Sequence, residues 1–485
     1  MWFLARIAVF ICYFFALSLV GFVFCTKRYF GYASIDQILF AYVMDRAGSW
    51  QADRELIILY CKYTLLYPGL LSLLLTFSKS LLSILYSCYR AITRALLYFN
   101  CDQVLRFNPL ILLIISLIYF YHTFNVRQFF FTSLQADYFK QNYASLTKAL
   151  LPKHKKPENL LLIYVESLEA TYQRSDIFGQ NFLNALLPWE AQGVRFKQFQ
   201  QMPGTGWTLA GIIATQCGFP LKLVSNKQSE SLNKFLPNAI CLSDVLASAG
   251  YHNVFMKGAS LRFSGLRHFL KAHHYDEMYG KDEWGKLGYS SHDMSGWGLY
   301  DRDLFKEAKK ALARLIKSKQ PFSLTLLTLN LHGPFGINEP YCSQAGLNVF
   351  QELVMCEGAM LAQFLQDLQH EGWLNNMNVV IMGDHLAMKN PLSRKLDSIS
   401  DRTIYNLILP VTPVQKQREH ITHFTWLPTI LTLLHFDVPD AHAGLGVSAI
   451  SRKEEKKETQ LGQENMTFIQ QQWYLPSKTY QRLWG

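Results

Sequence analysis

Charge is scarce in this chain of 485 residues: Asp, Glu, Lys and Arg make up only 17% of it, while half the residues are apolar and 14% are aromatic. That balance excludes a disordered or solvating polymer, which lacks the apolar surface a core requires. Nine cysteines are too few for a small disulfide-built scaffold, and 28 Gly with 17 Pro are too sparse for a collagen-like repeat. No internal repeat or low-complexity tract appears after residue 125. The length exceeds one ordinary domain. What the sequence does have is an uneven apolar excess, with runs of membrane-span length before residue 125 and only strand- or helix-sized runs after it.

The first 124 residues read as a transmembrane anchor of about three helices, near 5–25, 56–77 and 108–124. The first run carries one charge, Arg6, at its start, and no small-residue cleavage site follows it, so it is read as a span and not as a cleaved leader. Lys79, Arg90, Arg94 and Arg106 lie between the second and third runs against Asp102 alone, which marks a cytoplasmic loop. Three spans then place everything after residue 125 outside; the segment at 80–99 is apolar enough to be a fourth span or an interfacial helix, which would reverse that placement. Thirteen basic against six acidic residues up to position 150 supply +7 of the net charge of +11. The basic excess therefore belongs with lipid and topology, and no nucleic-acid motif is present.

Beyond the anchor, 125–155 reads as a juxtamembrane linker, 156–450 as a folded domain and 451–485 as a solvated tail of alternating charge. Of the nine cysteines, Cys217, Cys241, Cys342 and Cys356 fall in this half, and the two close pairs suggest bridges Cys217–Cys241 and Cys342–Cys356; four buried thiols are the alternative. The folded half repeats one signature, an apolar run ending in a polar side chain. The apolar run of NLLLIYVES is ended by Glu166, PFSLTLLTLNLHGP contains His332, and NNMNVVIMGDH ends at Asp384 and His385. Helical patterns at 304–317 and 354–369 separate these runs, which predicts an α/β domain with a mostly parallel sheet. In such a sheet the strand ends share one crevice.

MPGTGWTLAGIIATQCG, residues 202–218, adds a glycine turn followed by a helix that begins near Thr208. A hydroxyl there faces the free amides that favour a phosphate, although Thr in that place is more often a simple N-cap. Glu166, Thr208, Asp384 and His385 together form a mixed oxygen and nitrogen set suited to Mn²⁺, Mg²⁺ or Zn²⁺, and a hydroxyl bound to such a cation becomes a nucleophile.

VESLEATY, PGTGWTLAGIIATQCGFPL, NLHGP and GDHLAM, in that order between about 159 and 450, resemble the alkaline-phosphatase-like sulfatase superfamily. Within it the chain is similar to the membrane-anchored phosphoglycerol transferases of osmoregulated periplasmic glucan synthesis, with lipoteichoic acid synthases as more distant relatives. The resemblance implies Glu166, Thr208, Asp384 and His385 as metal ligands, Mn²⁺ before Mg²⁺ or Zn²⁺, with Thr208 also the nucleophile. It implies His332 as a phosphoryl-binding or acid group, and Trp207, Arg262, Trp297 and Asp301 as substrate-binding residues. The two cysteine pairings also fit positions where such relatives carry cysteines. Phe424-Thr425 before Trp426, and Ala443 before Gly444, depart from the family pattern at the end of the chain that closes the acceptor side.

The implied activity is transfer of phosphoglycerol from phosphatidylglycerol to a hydroxyl of a cell-envelope glycan through a phosphothreonine-type intermediate, with release of diacylglycerol. The implied place is the bacterial inner membrane, multi-pass, with the catalytic domain in the periplasm. Phosphoethanolamine transfer, or an inactive membrane scaffold on the same fold, are the alternatives.

Overall fold

The computed structural model describes residues 2–29, 31, 54–77, 108–124, 126, 137–147, 150, 157–222, 235–290, 292–342, 349–451 and 477–484. The apolar segment at 80–99, most of the linker at 125–155 and most of the tail at 451–485 lie outside the described residues. Two compact units divide the chain, Met1–Ile35 with Ala52–Phe131, and Asp36–Gln51 with Thr132–Gly485.

Among the described residues the first unit holds three apolar helices. Leu4–Tyr29 and Ile57–Phe77 are long and apolar enough to cross a membrane by length and composition. The second passes through a π-helical turn, Lys62–Leu66, just before Pro68, which has no N–H to return to the preceding turn. The third, Pro109–Thr123, has 15 residues, fewer than the roughly 20 that span hydrocarbon. Its start is set locally: Pro109 stands at the first helical position, and Asn108 Oδ1 accepts from Leu110 N at 3.0 Å. Phe22 meets Tyr60, Phe120 and Phe124 with ring centroids 6.0–6.4 Å apart, while Leu4, Phe15, Leu70 and Leu110 stay exposed, as lipid-facing side chains do.

The second unit is built on a six-stranded sheet. Its strands are β1 (Asn159–Val165), β3 (His252–Lys257), β4 (Glu277–Tyr279), β5 (Phe322–Leu327), β6 (Met377–Gly383) and β7 (Asn406–Leu409), in the order β4-β3-β5-β1-β6-β7. All pair in parallel except β7, which runs antiparallel on β6. A separate short strand β2 (Gln198–Gln200) pairs with His420–Thr422. β1, β5 and β6 are mostly apolar and buried along nearly their whole length because both faces of the sheet are covered. Leu160, Leu162 and Tyr164 face a core shared with helices Thr208–Cys217 and Trp426–Leu433. Leu161, Ile163 and Val165 face the opposite core with helices Asp301–Ser318 and Val349–His370.

This unit is wider than the 156–450 read from the sequence. Phe139 stacks on Tyr143 and meets Tyr480 edge-on, Phe219 closes the same cluster, and Ala144 exchanges backbone hydrogen bonds with Gly444 at 2.8 Å. Buried aromatics thus draw 137–147 and 477–484 into the core. Disulfides join Cys217 to Cys241 and Cys342 to Cys356, the first tying the end of the Thr208–Cys217 helix to the start of Leu242–Ser248.

Candidate active site

The register of the sheet puts Lys257, Leu327, Tyr164 and Met382 on one level, so the residues just beyond them gather over the carboxyl ends of β3, β5, β1 and β6. Glu166 leaves β1 with its amide donating to Thr328 Oγ1 at 3.0 Å, which pins the strand end to the one beside it. Ser167, at positive φ, turns the chain back; its amide donates to Asp384 Oδ1 at 2.8 Å and its hydroxyl to Glu166 Oε1 at 2.8 Å. Asp384 follows β6 and also accepts from the His385 amide at 3.0 Å.

Thr208 reaches this cluster from a helix terminus. Trp207 holds the capping position with extended backbone and no side-chain cap bond, and Thr208 is the first helical residue. Its hydroxyl is thus not spent on capping and donates to Glu166 Oε2 at 3.1 Å. Gly211 permits the approach, since a Cβ there would lie 2.2 Å from the Asp384 carbonyl oxygen. The free amides at the head of this ten-residue helix add a positive pole beside the hydroxyl.

Glu166, Asp384 and His385 are all buried, with one ligand atom from each within 4.8 Å of the others. His385 Nδ1 donates to the Leu386 carbonyl at 2.8 Å, which leaves Nε2 to face Glu166 Oε1 at 3.4 Å and Asp384 Oδ2 at 3.3 Å. Asp384 Oδ2 and His385 Nε2 receive no hydrogen bond although fully buried. Two orphaned ligand atoms of this kind, beside a carboxylate and a hydroxyl, fit a divalent cation. Electrostatics agree. Burial and the Glu166 charge push Asp384 up to about 7, and against its own burial His385 is raised to about 9 by Asp384 and Glu166. Burial acts to raise Glu166 too, but His385 and His332 overcome it and hold the carboxyl low. Without a cation the site keeps protons on Asp384 and His385; a divalent ion would ionise Asp384 and leave the imidazole neutral.

His332 stands on the loop after β5, partly buried, with Nδ1 unpartnered and its ring 4.6 Å from that of Trp297. Burial lowers its pKa, and Glu166 works against that. Trp297 is brought there by a bridge between Ala259 and Gly298, next to the end of β3. Trp207 packs against the core beside Thr208. Arg262 is more than half exposed and pairs with Asp282 at 3.1 Å. Asp301 is completely buried: its carboxylate accepts from the amides of Leu329 at 2.8 Å and Asn330 at 2.6 Å, so it holds the His332 loop from beneath.

Three further groups escaped the sequence reading. Lys257 ends β3, is 7% exposed, and lies within electrostatic range of Glu166, Asp384 and His332; burial pushes it down to about 8 while the two carboxylates oppose the shift. Its signal was present, because HNVFMK is another apolar run ending in a charge. His423 Nε2 donates to the Asp384 carbonyl at 2.9 Å, and Nδ1 lies 3.2 Å from Thr205 Oγ1. Burial lowers its pKa to about 3, so it is a neutral strut. Glu169 accepts two bonds from Arg402, at 2.8 and 2.9 Å, and the same guanidinium donates to the Ala387 carbonyl at 2.9 Å, which fixes the loop after His385. Replacing Arg402 by Met strands the wholly buried Glu169 carboxylate; urea unfolding is expected to show a loss of about 3 kcal/mol.

Residues 158–436 match the family model described as Sulfatase, more than half of the chain, and the chain belongs to that family. Among curated relatives it is 34% identical over 301 residues to phosphoglycerol transferase I of Escherichia coli O6:K15:H31, covering 60% of this chain and 39% of that protein. It is equally similar to phosphoglycerol transferase I of Shigella flexneri over 300 residues, again 60% of this chain and 39% of that one. The chain thus spans about two fifths of the length of these relatives. An alkaline phosphatase superfamily protein from Vibrio parahaemolyticus superposes with a TM-score of 0.50 at 21% identity, over 63% of this chain and 74% of that one. Lipoteichoic acid synthase LtaP from Listeria monocytogenes gives a TM-score of 0.50 at 17% identity, over 62% and 79%. Both likenesses support the fold.

Proposed function

We propose that the chain is a membrane-anchored phosphotransferase that moves phosphoglycerol from phosphatidylglycerol to a hydroxyl of a cell-envelope glycan, releasing diacylglycerol. The observation that carries this reading is Thr208: an uncapped hydroxyl at a helix head, hydrogen-bonded to Glu166 and set beside the orphaned atoms of Asp384 and His385. The curated relatives named phosphoglycerol transferase I supply the headgroup.

Glu166, Thr208, Asp384 and His385 would hold the divalent cation, for which Mn²⁺ is the first choice. Bound there, it would lower the pKa of the threonine hydroxyl and neutralise phosphoryl charge. Thr208 Oγ bonds to phosphorus as its proton passes to Glu166 Oε2; the bond from phosphorus to the diacylglycerol oxygen breaks and phosphoglycerol stays on Thr208. The helix amides and the Lys257 ammonium stabilise the negative charge that builds on the phosphoryl oxygens. An anionic phosphodiester against the His332 ring raises its pKa, so the ring takes up a proton with substrate and gives it to the leaving oxygen. In the second half the same ring takes the proton of the acceptor hydroxyl, the acceptor oxygen bonds to phosphorus as the bond from phosphorus to Thr208 Oγ breaks, and Thr208 takes its proton back from Glu166. A diacyl lipid does not leave the bilayer readily, which is the reason for apolar helices on the same chain. The two disulfides suit an oxidising compartment, so the catalytic domain faces the periplasm of a bacterial inner membrane.

Headgroup-labelled phosphatidylglycerol and phosphatidylethanolamine, each offered to the detergent-solubilised protein with Mn²⁺, separate the donors. Diacylglycerol release from phosphatidylglycerol alone is the expected result. Release from phosphatidylethanolamine alone would replace the headgroup, and silence with both lipids would leave a scaffold.

A further inference from the structure

Away from the Glu166 centre the molecule buries a second group of oxygens that the proposed reaction does not use. Glu357 sits mid-way along helix Val349–His370, on a face otherwise made of Leu353, Val354 and Leu361. Its carboxylate is 1% exposed and lies against that of Asp301 and the side chain of Asn330, yet neither oxygen receives a hydrogen bond. Asn330 is fully buried as well; its Nδ2 donates to Glu339 Oε2 at 2.5 Å, which makes Oδ1 the acceptor, and Oδ1 has no donor either. Burial and mutual repulsion raise Asp301, Glu339 and Glu357 above the usual carboxylate range, Asp301 to about 7.

Such a group relaxes by taking a proton or a cation, and counting partners separates the two. A proton on Glu357 turns one of its oxygens into a donor, which can satisfy a single acceptor. At least one of the three orphaned oxygens then stays bare, at a cost of about 1–3 kcal/mol. Asp301 already has both oxygens partnered without a proton, since they accept from the amides of Leu329 and Asn330. A cation that bonds only to oxygen satisfies all three orphans at once and offsets the charge.

We propose that Asp301, Glu357 and the Asn330 amide oxygen form a second cation site, distinct from the Glu166 centre, which takes a hard divalent ion such as Ca²⁺ or Mg²⁺. Its place gives it a task. Asp301 binds the amides of Leu329 and Asn330, and His332 follows two residues later, so an ion here braces the loop that carries His332.

The test uses the full chain in detergent, with Glu166→Ala to disable the first centre and Ca²⁺ as the probe. Bound metal is counted by plasma mass spectrometry after gel filtration, and thermal unfolding is followed with and without millimolar Ca²⁺. The Glu166→Ala protein is expected to retain one divalent ion per chain and to gain about 5 °C in Tm with Ca²⁺. Adding Glu357→Gln, or separately Asn330→Ala, should remove both the ion and the Ca²⁺-dependent shift. A Glu166→Ala protein that binds no ion, or an ion that survives both second substitutions, overturns the site; a Glu357→Gln protein as stable as its parent at every Ca²⁺ level assigns the group to a shared proton. None of these readouts depends on transferase activity, so the result stands apart from the proposed function.

Discussion

Thr208→Ala is expected to lower diacylglycerol release from phosphatidylglycerol by about 10⁴-fold or more, with KM little changed. The size follows from the proposed covalent route: the hydroxyl is the atom that bonds to phosphorus, and nothing else at the helix head replaces it. The stability cost is small by comparison. Thr208 makes one hydrogen bond, to Glu166, and does not cap its helix, so its loss costs about 1 kcal/mol. Initial-rate assays with melting curves on the same preparations separate the two effects. A Thr208→Ser enzyme should keep much of the rate, because serine retains the nucleophilic oxygen and loses only a methyl group.

Lys257→Met should lower kcat/KM by about 10³-fold while leaving Tm within a degree or two of wild type in the presence of metal. The ammonium is buried beside Glu166, Asp384 and His332, where burial already disfavours its charged form. Methionine keeps the apolar stem and removes a charge that is costly to hold there, so activity falls without a matching loss of fold. Equal losses of rate and stability would instead make Lys257 a structural cation that balances the two carboxylates. The companion Lys257→Arg tests shape: a guanidinium keeps the charge but not the compact ammonium, and partial activity is expected.

The difference between Glu166 and Lys257 shows what a linear sequence exposes. Glu166 and Asp384-His385 stood out because a carboxylate or imidazole after an apolar run marks the mouth of a parallel sheet, and β1 and β6 are neighbours in the structure. Thr208 stood out through its glycines, and Gly211 proves to be the point where its helix touches the Asp384 backbone. Lys257 closes the same kind of run yet passed unremarked, since a terminal lysine ordinarily points to solvent; in the structure it is buried within electrostatic range of Glu166 and Asp384. Arg402 with Glu169, and His423 with Asp384, are partnerships across 233 and 39 residues, which no local periodicity encodes. Asp301 was read as a substrate-pocket residue; in the structure its oxygens are turned to the backbone of the His332 loop. The edges of the domain were hidden for a related reason. Phe139, Tyr143 and Tyr480 look like linker and tail aromatics until they meet Phe219.

The most direct test of the account is to trap the covalent state. Wild type and Thr208→Ala, solubilised in detergent with Mn²⁺ and headgroup-labelled phosphatidylglycerol but no acceptor, are quenched in acid and their intact masses measured, followed by mapping of the peptide that contains Thr208. Label on Thr208 in wild type alone, in step with diacylglycerol release, is the predicted result. Metal-dependent release from wild type with no adduct, together with an active Thr208→Ala protein, would contradict a threonine nucleophile and leave direct transfer to the acceptor in its place.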